Sequence, residues 1–172
     1  MLKLLTGLAA LAFATGAQAA TLTPALQPLT FLIGKWDGGG QVSDTGGRDH
    51  GVSVISIQAD GQALLRDDRT ALFDKAGRPT GDFHQIMLIY PEAGGVRADY
   101  VDGEGHVIHY GPATIVAGKS AEFVSRATAG APVFRLRYEA VGADELKIAF
   151  SIQPPGQTAF QPIAVGEVRR AP

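Results

Sequence analysis

The sequence predicts an all-β protein: an antiparallel meander of about ten strands closed into a barrel, with one short helical turn at its start. Three observations predict it. The 22 glycines fall between apolar segments rather than in one low-complexity tract. The segments between them run to roughly six to ten residues and are rich in Val, Ile, Tyr, Phe and Thr. Several of them alternate apolar and polar residues with the period of two that a half-buried strand requires.

Turn chemistry sets the boundaries. In order it reads Gly38-Gly39-Gly40, Gly46-Gly47, Asp60-Gly61, Gly77 to Gly81, Gly94-Gly95, Asp102-Gly103-Glu104-Gly105, Gly118, Gly130, Gly142 and Pro154-Pro155-Gly156. Before these marks, Leu26 to Ile33 reads as the helical turn, begun by Thr23 with Pro24 at its first position. The strands then follow at 35–43, 51–59, 62–73, 84–90, 95–101, 106–116, 120–127, 132–140, 145–152 and 159–169. In 84–90, Ile86, Leu88 and Tyr90 oppose Gln85, Met87 and Ile89, so both faces are largely apolar and this strand is expected to be covered on both sides. In 133–139, Phe134, Leu136 and Tyr138 share one face. In 146–152, Leu146, Ile148, Phe150 and Ile152 do the same. Short links favour antiparallel pairing of neighbours, and closure removes the exposed edges that ten strands would otherwise leave.

The N-terminus has the three parts of a cleavable secretory signal. Lys3 is the positive region, Leu4 to Ala14 the apolar run, and Ala17-Gln18-Ala19 the small-x-small cleavage site. A membrane-spanning helix needs about 20 apolar residues, and this run is roughly half that. Residues 1–19 are therefore assigned to a signal peptide and 20–172 to a single domain, long enough for a sizeable core. The expected location is the periplasm or the exterior, as a soluble product with no membrane span after processing. The chain has no cysteine, which excludes a disulfide scaffold and a lipoprotein anchor. Processing removes one charge, Lys3, and leaves 14 basic against 17 acidic side chains. No basic run exists, so nucleic acid is not an expected partner.

Phe31-Leu32-Ile33-Gly34-Lys35-Trp36-Asp37-Gly38 places a Gly-x-Trp directly after the helical turn. This segment resembles the start of calycin-type barrels: lipocalins, fatty-acid-binding proteins and nitrobindin-like barrels. It is most similar to nitrobindin-like secreted bacterial families of unassigned function. The resemblance implies that Gly34 and Trp36 close one end of the barrel, with a basic side chain near the end of the last strand packing over the indole. Arg169 is assigned that role, with Arg170 as the other candidate. Nitrobindin-like proteins hold haem through a histidine late in the chain. Here the last histidine is His109, so that ligand has no matching position and haem is not expected.

Candidate chemistry is sparse. His106 and His109 form an H-x-x-H pair, but residues three apart on a strand point to opposite faces, so no metal site is assigned. His84 stands beside Asp82 without a nucleophile motif, and no catalytic residue is assigned. In Arg66-Asp67-Asp68-Arg69, alternation puts Arg66 and Asp68 on one face. The two readings are surface ion pairs, or one arginine inside the barrel facing a ligand carboxylate. Gly38-Gly39-Gly40 lacks the lysine and helix of a phosphate loop and reads as flexibility in the first strand. The expected function is binding of a small hydrophobic or amphipathic molecule in a barrel cavity, with Arg66, Tyr90, Tyr100 and Tyr138 as candidate contacts. Two alternatives stay open: an enzyme at the barrel mouth using a histidine, and an envelope interaction protein whose barrel is filled by Phe123, Phe134, Tyr138 and Phe150.

Overall fold

The computed structural model describes residues 21–43 and 45–172. The expected signal peptide at 1–19 lies outside them. A 3-10 turn, Gln27–Leu32, leads into eleven strands. They are β1 (Gly34–Val42), β2 (Gly47–Gln58), β3 (Ala63–Phe73), β4 (Pro79–Glu92), β5 (Gly95–Asp102) and β6 (Val107–Tyr110). Then come β7 (Thr114–Val116), β8 (Ser120–Val124), β9 (Val133–Gly142), β10 (Glu145–Gln153) and β11 (Gln161–Arg170). A second, very short 3-10 turn, Ala59–Gly61, joins β2 to β3.

All eleven form one curled sheet in the order β6-β5-β4-β3-β2-β1-β11-β10-β9-β8-β7. Every pair is antiparallel, and β1 pairs with both β2 and β11. β6, at one end of the sheet, meets the residues around the end of β8, the strand next to the other end. Tyr110 bridges Ser125, the Gly111 N–H donates to the Val124 carbonyl at 2.8 Å, and the Arg126 N–H donates to the His109 carbonyl at 2.9 Å. These bonds give the backbone groups of the sheet ends the partners that an open edge lacks.

The meander follows the turn chemistry, with corrections. The stretch 106–116 is two strands, β6 and β7, not one. Gly111-Pro112 separates them: Pro112 has no N–H to extend a ladder, and Ala113 turns back to donate to the Val96 carbonyl at 2.7 Å. The helical turn starts one residue later than expected, and its first-turn proline is Pro28, not Pro24. Strand β4 begins well before residue 84, because Gly81 pairs with Leu72 inside the ladder instead of turning the chain. That turn is made by Asp74, whose carboxylate accepts the N–H groups of Ala76 and Arg78. Only the inner face of β4 is covered among the described residues: Met87 and Ile89 are fully buried, whereas Ile86 and Leu88 are exposed on the outside.

Gly38-Gly39-Gly40 is not a flexible stretch. All three residues pair on both sides, with β2 and with β11. A Cβ on Gly39 would strike the Asp49 carbonyl and one on Gly40 the Val165 carbonyl, so glycine is required here by close backbone approach.

Candidate functional site

The barrel interior divides across its length. At one end it is packed solid. Leu22, Leu26, Leu29 and Leu32 from the N-terminal segment lie in one buried cluster with Trp36, Ile55, Leu64, Ile89 and Leu146. The Trp36 indole N–H donates to the Leu32 carbonyl at 2.7 Å, tying the first strand to the turn that plugs this end. The guanidinium over the indole belongs to Arg170, 4.3 Å from the ring centroid, and not to Arg169. Register decides between them. Trp36 lies opposite Arg170, so these two share the inner face, while Arg169 lies opposite Asp37 on the outside and reaches Glu145. Arg170 also donates to the Ile33 carbonyl at 2.7 Å and to Asp144 at 3.0 Å. Gly34 has φ +135°, and a Cβ there would collide with the Arg170 guanidinium. Gly34, Trp36 and Arg170 thus form the closure for which Arg169 had been assigned the basic side chain.

The other half is hollow. A cavity of about 620 Å³ opens above the packed core. Its walls are largely apolar: Phe83, Phe134, Leu136, Ile148, Phe150 and Val168 all face it. Phe134 and Phe150 stack almost parallel, 5.7 Å apart with 7° between their planes, and form a flat wall. Gly38, Gly51 and Gly166 also line it and contribute backbone without side chains. Of the four aromatics expected to fill the barrel, Phe123 and Tyr138 are buried in the core cluster, and Phe134 and Phe150 line the cavity.

Arg66 and Asp68 lie at the junction of the two halves. Both point inward from β3, as alternation requires, and their side chains are only 7% and 11% exposed. The Arg66 Nε donates to Asp68 Oδ2 at 2.6 Å, and Nη2 contacts the same oxygen. Nη1 donates to the Tyr138 hydroxyl at 2.7 Å and approaches Met87 Sδ. Burial opposes the charge on Arg66, but Asp68 and the neighbouring phenol oxygens outweigh it and hold the guanidinium above its usual pKa. Asp68 Oδ1 is buried and has no hydrogen-bond partner among the described residues. Such an orphaned oxygen is uncommon and costly.

Tyr100 and Tyr110 line the cavity. Burial above all pushes both phenols well above the usual tyrosine pKa, and in Tyr100 a 3.0 Å hydrogen bond to Asp102 adds to it. Burial likewise pushes Tyr138 up to about 12, against the opposing pull of Arg66. Tyr90 does not join them. It stands on the outer face of β4, where its hydroxyl donates to Asp99 Oδ2 at 2.8 Å, a bond that raises its pKa too. All four tyrosines of the chain are therefore raised in the folded state. A raised pKa means that the fold holds the phenol proton more tightly than the unfolded chain does. The resulting stability is complete below the unfolded value near pH ~10 and is lost as pH climbs through the folded values. An alkaline titration followed by tyrosinate absorbance should show no tyrosine ionising at its ordinary pKa, and the bulk of the ionisation should coincide with loss of circular dichroism. Two or more tyrosines titrating normally in the folded protein would contradict this packing.

At the cavity rim, Asp102 receives Tyr100 and His106 together. His106 Nδ1 lies 3.0 Å from Asp102 Oδ2, and Asp102 Oδ1 accepts the N–H groups of Glu104 and His106, also at 3.0 Å. Burial acts to raise the Asp102 pKa, but these hydrogen bonds outweigh it and lower it. The carboxylate thereby folds the β5–β6 turn. Sequence reading singled out neither Asp102 nor the inward carboxylate of Asp68 as a site residue, although the face shared by Arg66 and Asp68 was visible from alternation.

The remaining histidines face outward, each on an aspartate: His50 with Asp37 at 3.1 Å, His84 with Asp67 at 3.0 Å and His109 with Asp99 at 2.6 Å. His84 therefore pairs across strands and not with its neighbour Asp82. His106 and His109 go to different aspartates on different faces. Arg137 also lies outside, with Glu122 and Glu139, while its neighbour Tyr138 points in.

Fold and site together define an antiparallel β-barrel closed at one end by a tryptophan–arginine stack and hollow at the other. No known protein family matches the chain, and no curated protein matches it. Among solved structures it is similar to Rv2717c from M. tuberculosis, with 19% identity and a TM-score of 0.59 over 88% of this chain and 99% of that one. A de novo designed fluorescence-activating β-barrel also aligns, with 13% identity and a TM-score of 0.43 over 87% of this chain and 100% of the design. The first likeness establishes the barrel fold. No helix among the described residues is long and apolar enough to cross a membrane.

Proposed function

We propose that this protein is exported and binds a small amphipathic molecule inside the hollow half of its barrel. The observation that carries the reading is the cavity itself. At about 620 Å³ it falls within the roughly 300–1,000 Å³ of small-molecule pockets. Its apolar wall and few convergent polar groups match the usual composition of such sites. The resemblance of Gly34-x-Trp36 to calycin-type barrels, whose members carry ligands in this position, points the same way. Export rests on Lys3, the apolar run and Ala17-Gln18-Ala19. A cut after Ala19 leaves every described residue in place, and the first buried core residue is Leu22.

The histidine-enzyme alternative is supported less well. His106 is the histidine at the cavity rim, but it is largely exposed and shares Asp102 with a turn. The filled-barrel alternative sits poorly with a cavity of this size.

Binding can be measured with Nile red, a neutral dye whose emission shifts to the blue in apolar surroundings. The chain from residue 20 onward should give a saturable blue shift. Ala164 faces the cavity, so Ala164→Phe should fill it and weaken dye binding by about tenfold or more, equivalent to ~1.4 kcal/mol, with the circular dichroism unchanged. No saturable shift, or a folded Ala164→Phe variant that binds as well as the parent, would overturn the reading.

A further inference from the structure

We infer that the molecule held in this cavity presents a hydrogen-bond-donating head group without negative charge, an alcohol or an amine, to Asp68. The inference rests on the cavity reading above and narrows it.

An arginine in a barrel interior invites an anionic ligand, because its planar fork matches a carboxylate. Here all three nitrogens of that fork already have protein partners. Nε and Nη2 hold Asp68 Oδ2, and Nη1 holds Tyr138 and approaches Met87. Asp68 occupies the Nε–Nη2 side of the guanidinium, the side on which a ligand carboxylate would otherwise pair. What the pair leaves open is an acceptor, not a donor fork: Asp68 Oδ1 is buried beside the cavity with nothing donating to it. An unmet buried acceptor is costly, and a ligand O–H or N–H offsets that cost.

The cavity is lined by Asp49, Asp68, Asp102 and Glu104 against the single guanidinium of Arg66, with His106 at the rim. Asp49 is held by the Gly40 N–H at 2.5 Å, and Asp102 by Tyr100 and its own turn, so these carboxylates are built into the lining. An anionic head entering such a space meets net repulsion, while a neutral or cationic donor does not.

Valence and charge agree, and they reverse the sequence expectation of an arginine facing a ligand carboxylate. The test compares decanol, decylamine and decanoate, matched in chain length, as competitors for bound Nile red at pH 8. Decanol and decylamine should each displace the dye about tenfold more effectively than decanoate, or better. Asp68→Asn removes the internal counter-ion and leaves the Arg66 charge uncompensated, so the preference should move toward decanoate by at least the same factor of about ten. If that variant does not fold, the comparison in the parent protein decides by itself. Decanoate competing as well as decanol and decylamine overturns the head-group assignment and leaves the cavity reading standing. Failure of Nile red to bind at all overturns the cavity reading and this inference with it.

Discussion

Asp68→Ala should destabilise the protein by about 3–5 kcal/mol, a drop of about 6–20 °C in melting temperature. The substitution removes little volume, so packing loss is a minor part. The cost comes from Arg66, whose side chain is 7% exposed and would remain inside the barrel with a full charge and no counter-ion. Two of its donors would lose their acceptor at once. The pair as a whole is not the source of this stability, because desolvating two charges offsets most of their attraction. Replacing both at once, with Arg66→Met and Asp68→Leu, should therefore recover most of the loss. Chemical denaturation of the parent, the single variant and the double variant measures both quantities. A single-variant cost below about 1 kcal/mol would mean that water in the cavity solvates the guanidinium, contrary to a desolvated floor.

Trp36→Ala should cost as much, about 3–5 kcal/mol, for a different reason. Trp36 is 1% exposed and is the largest side chain in the packed end. Its loss leaves a hole in the buried cluster that rigid strands cannot collapse to fill. It also frees the Leu32 carbonyl and takes the ring from under Arg170. Graded variants separate the contributions. Trp36→Phe keeps much of the area and loses the indole hydrogen bond, so it should fall between parent and alanine. Arg170→Ala should lose about 0.5–2 kcal/mol of cation–π contact. Arg169→Ala, on the outer face, should stay within about 0.5 kcal/mol of the parent. Equal effects from the two arginines would contradict the register that sets Trp36 opposite Arg170.

The arginine pair shows where sequence reading runs out. Residues 169 and 170 are adjacent and chemically identical, and alternation says only that they point to opposite faces. Which one faces the indole depends on the pairing of β1 with β11, more than a hundred residues apart in the chain. A slip of one position would exchange them. Tyr90 fails for a related reason. Both faces of β4 are apolar in sequence, so the pattern could not say which was inside, and the structure turns Met87 and Ile89 inward and Tyr90 outward. Gly81 and the glycines of β1 misled in another way. Glycine marks a turn or a close backbone approach equally well, and only the neighbouring strand distinguishes them.

Much was nonetheless determined by the sequence alone. Period-two alternation and turn chemistry are local, and they sufficed for an all-β meander, for nearly every strand, and for the shared inner face of Phe134, Leu136 and Tyr138. They also placed Arg66 and Asp68 on one face, whereas the closing role of Gly34 and Trp36 came from the resemblance of that segment to calycin-type barrels. What only the tertiary structure decided is the inside of the barrel: that Arg66 meets Asp68 and Tyr138 there, that one half is packed and the other hollow, and that a carboxylate oxygen is left without a donor. The reason is physical. A cavity and an unmet acceptor are properties of the space between strands, and no stretch of chain read by itself encloses that space.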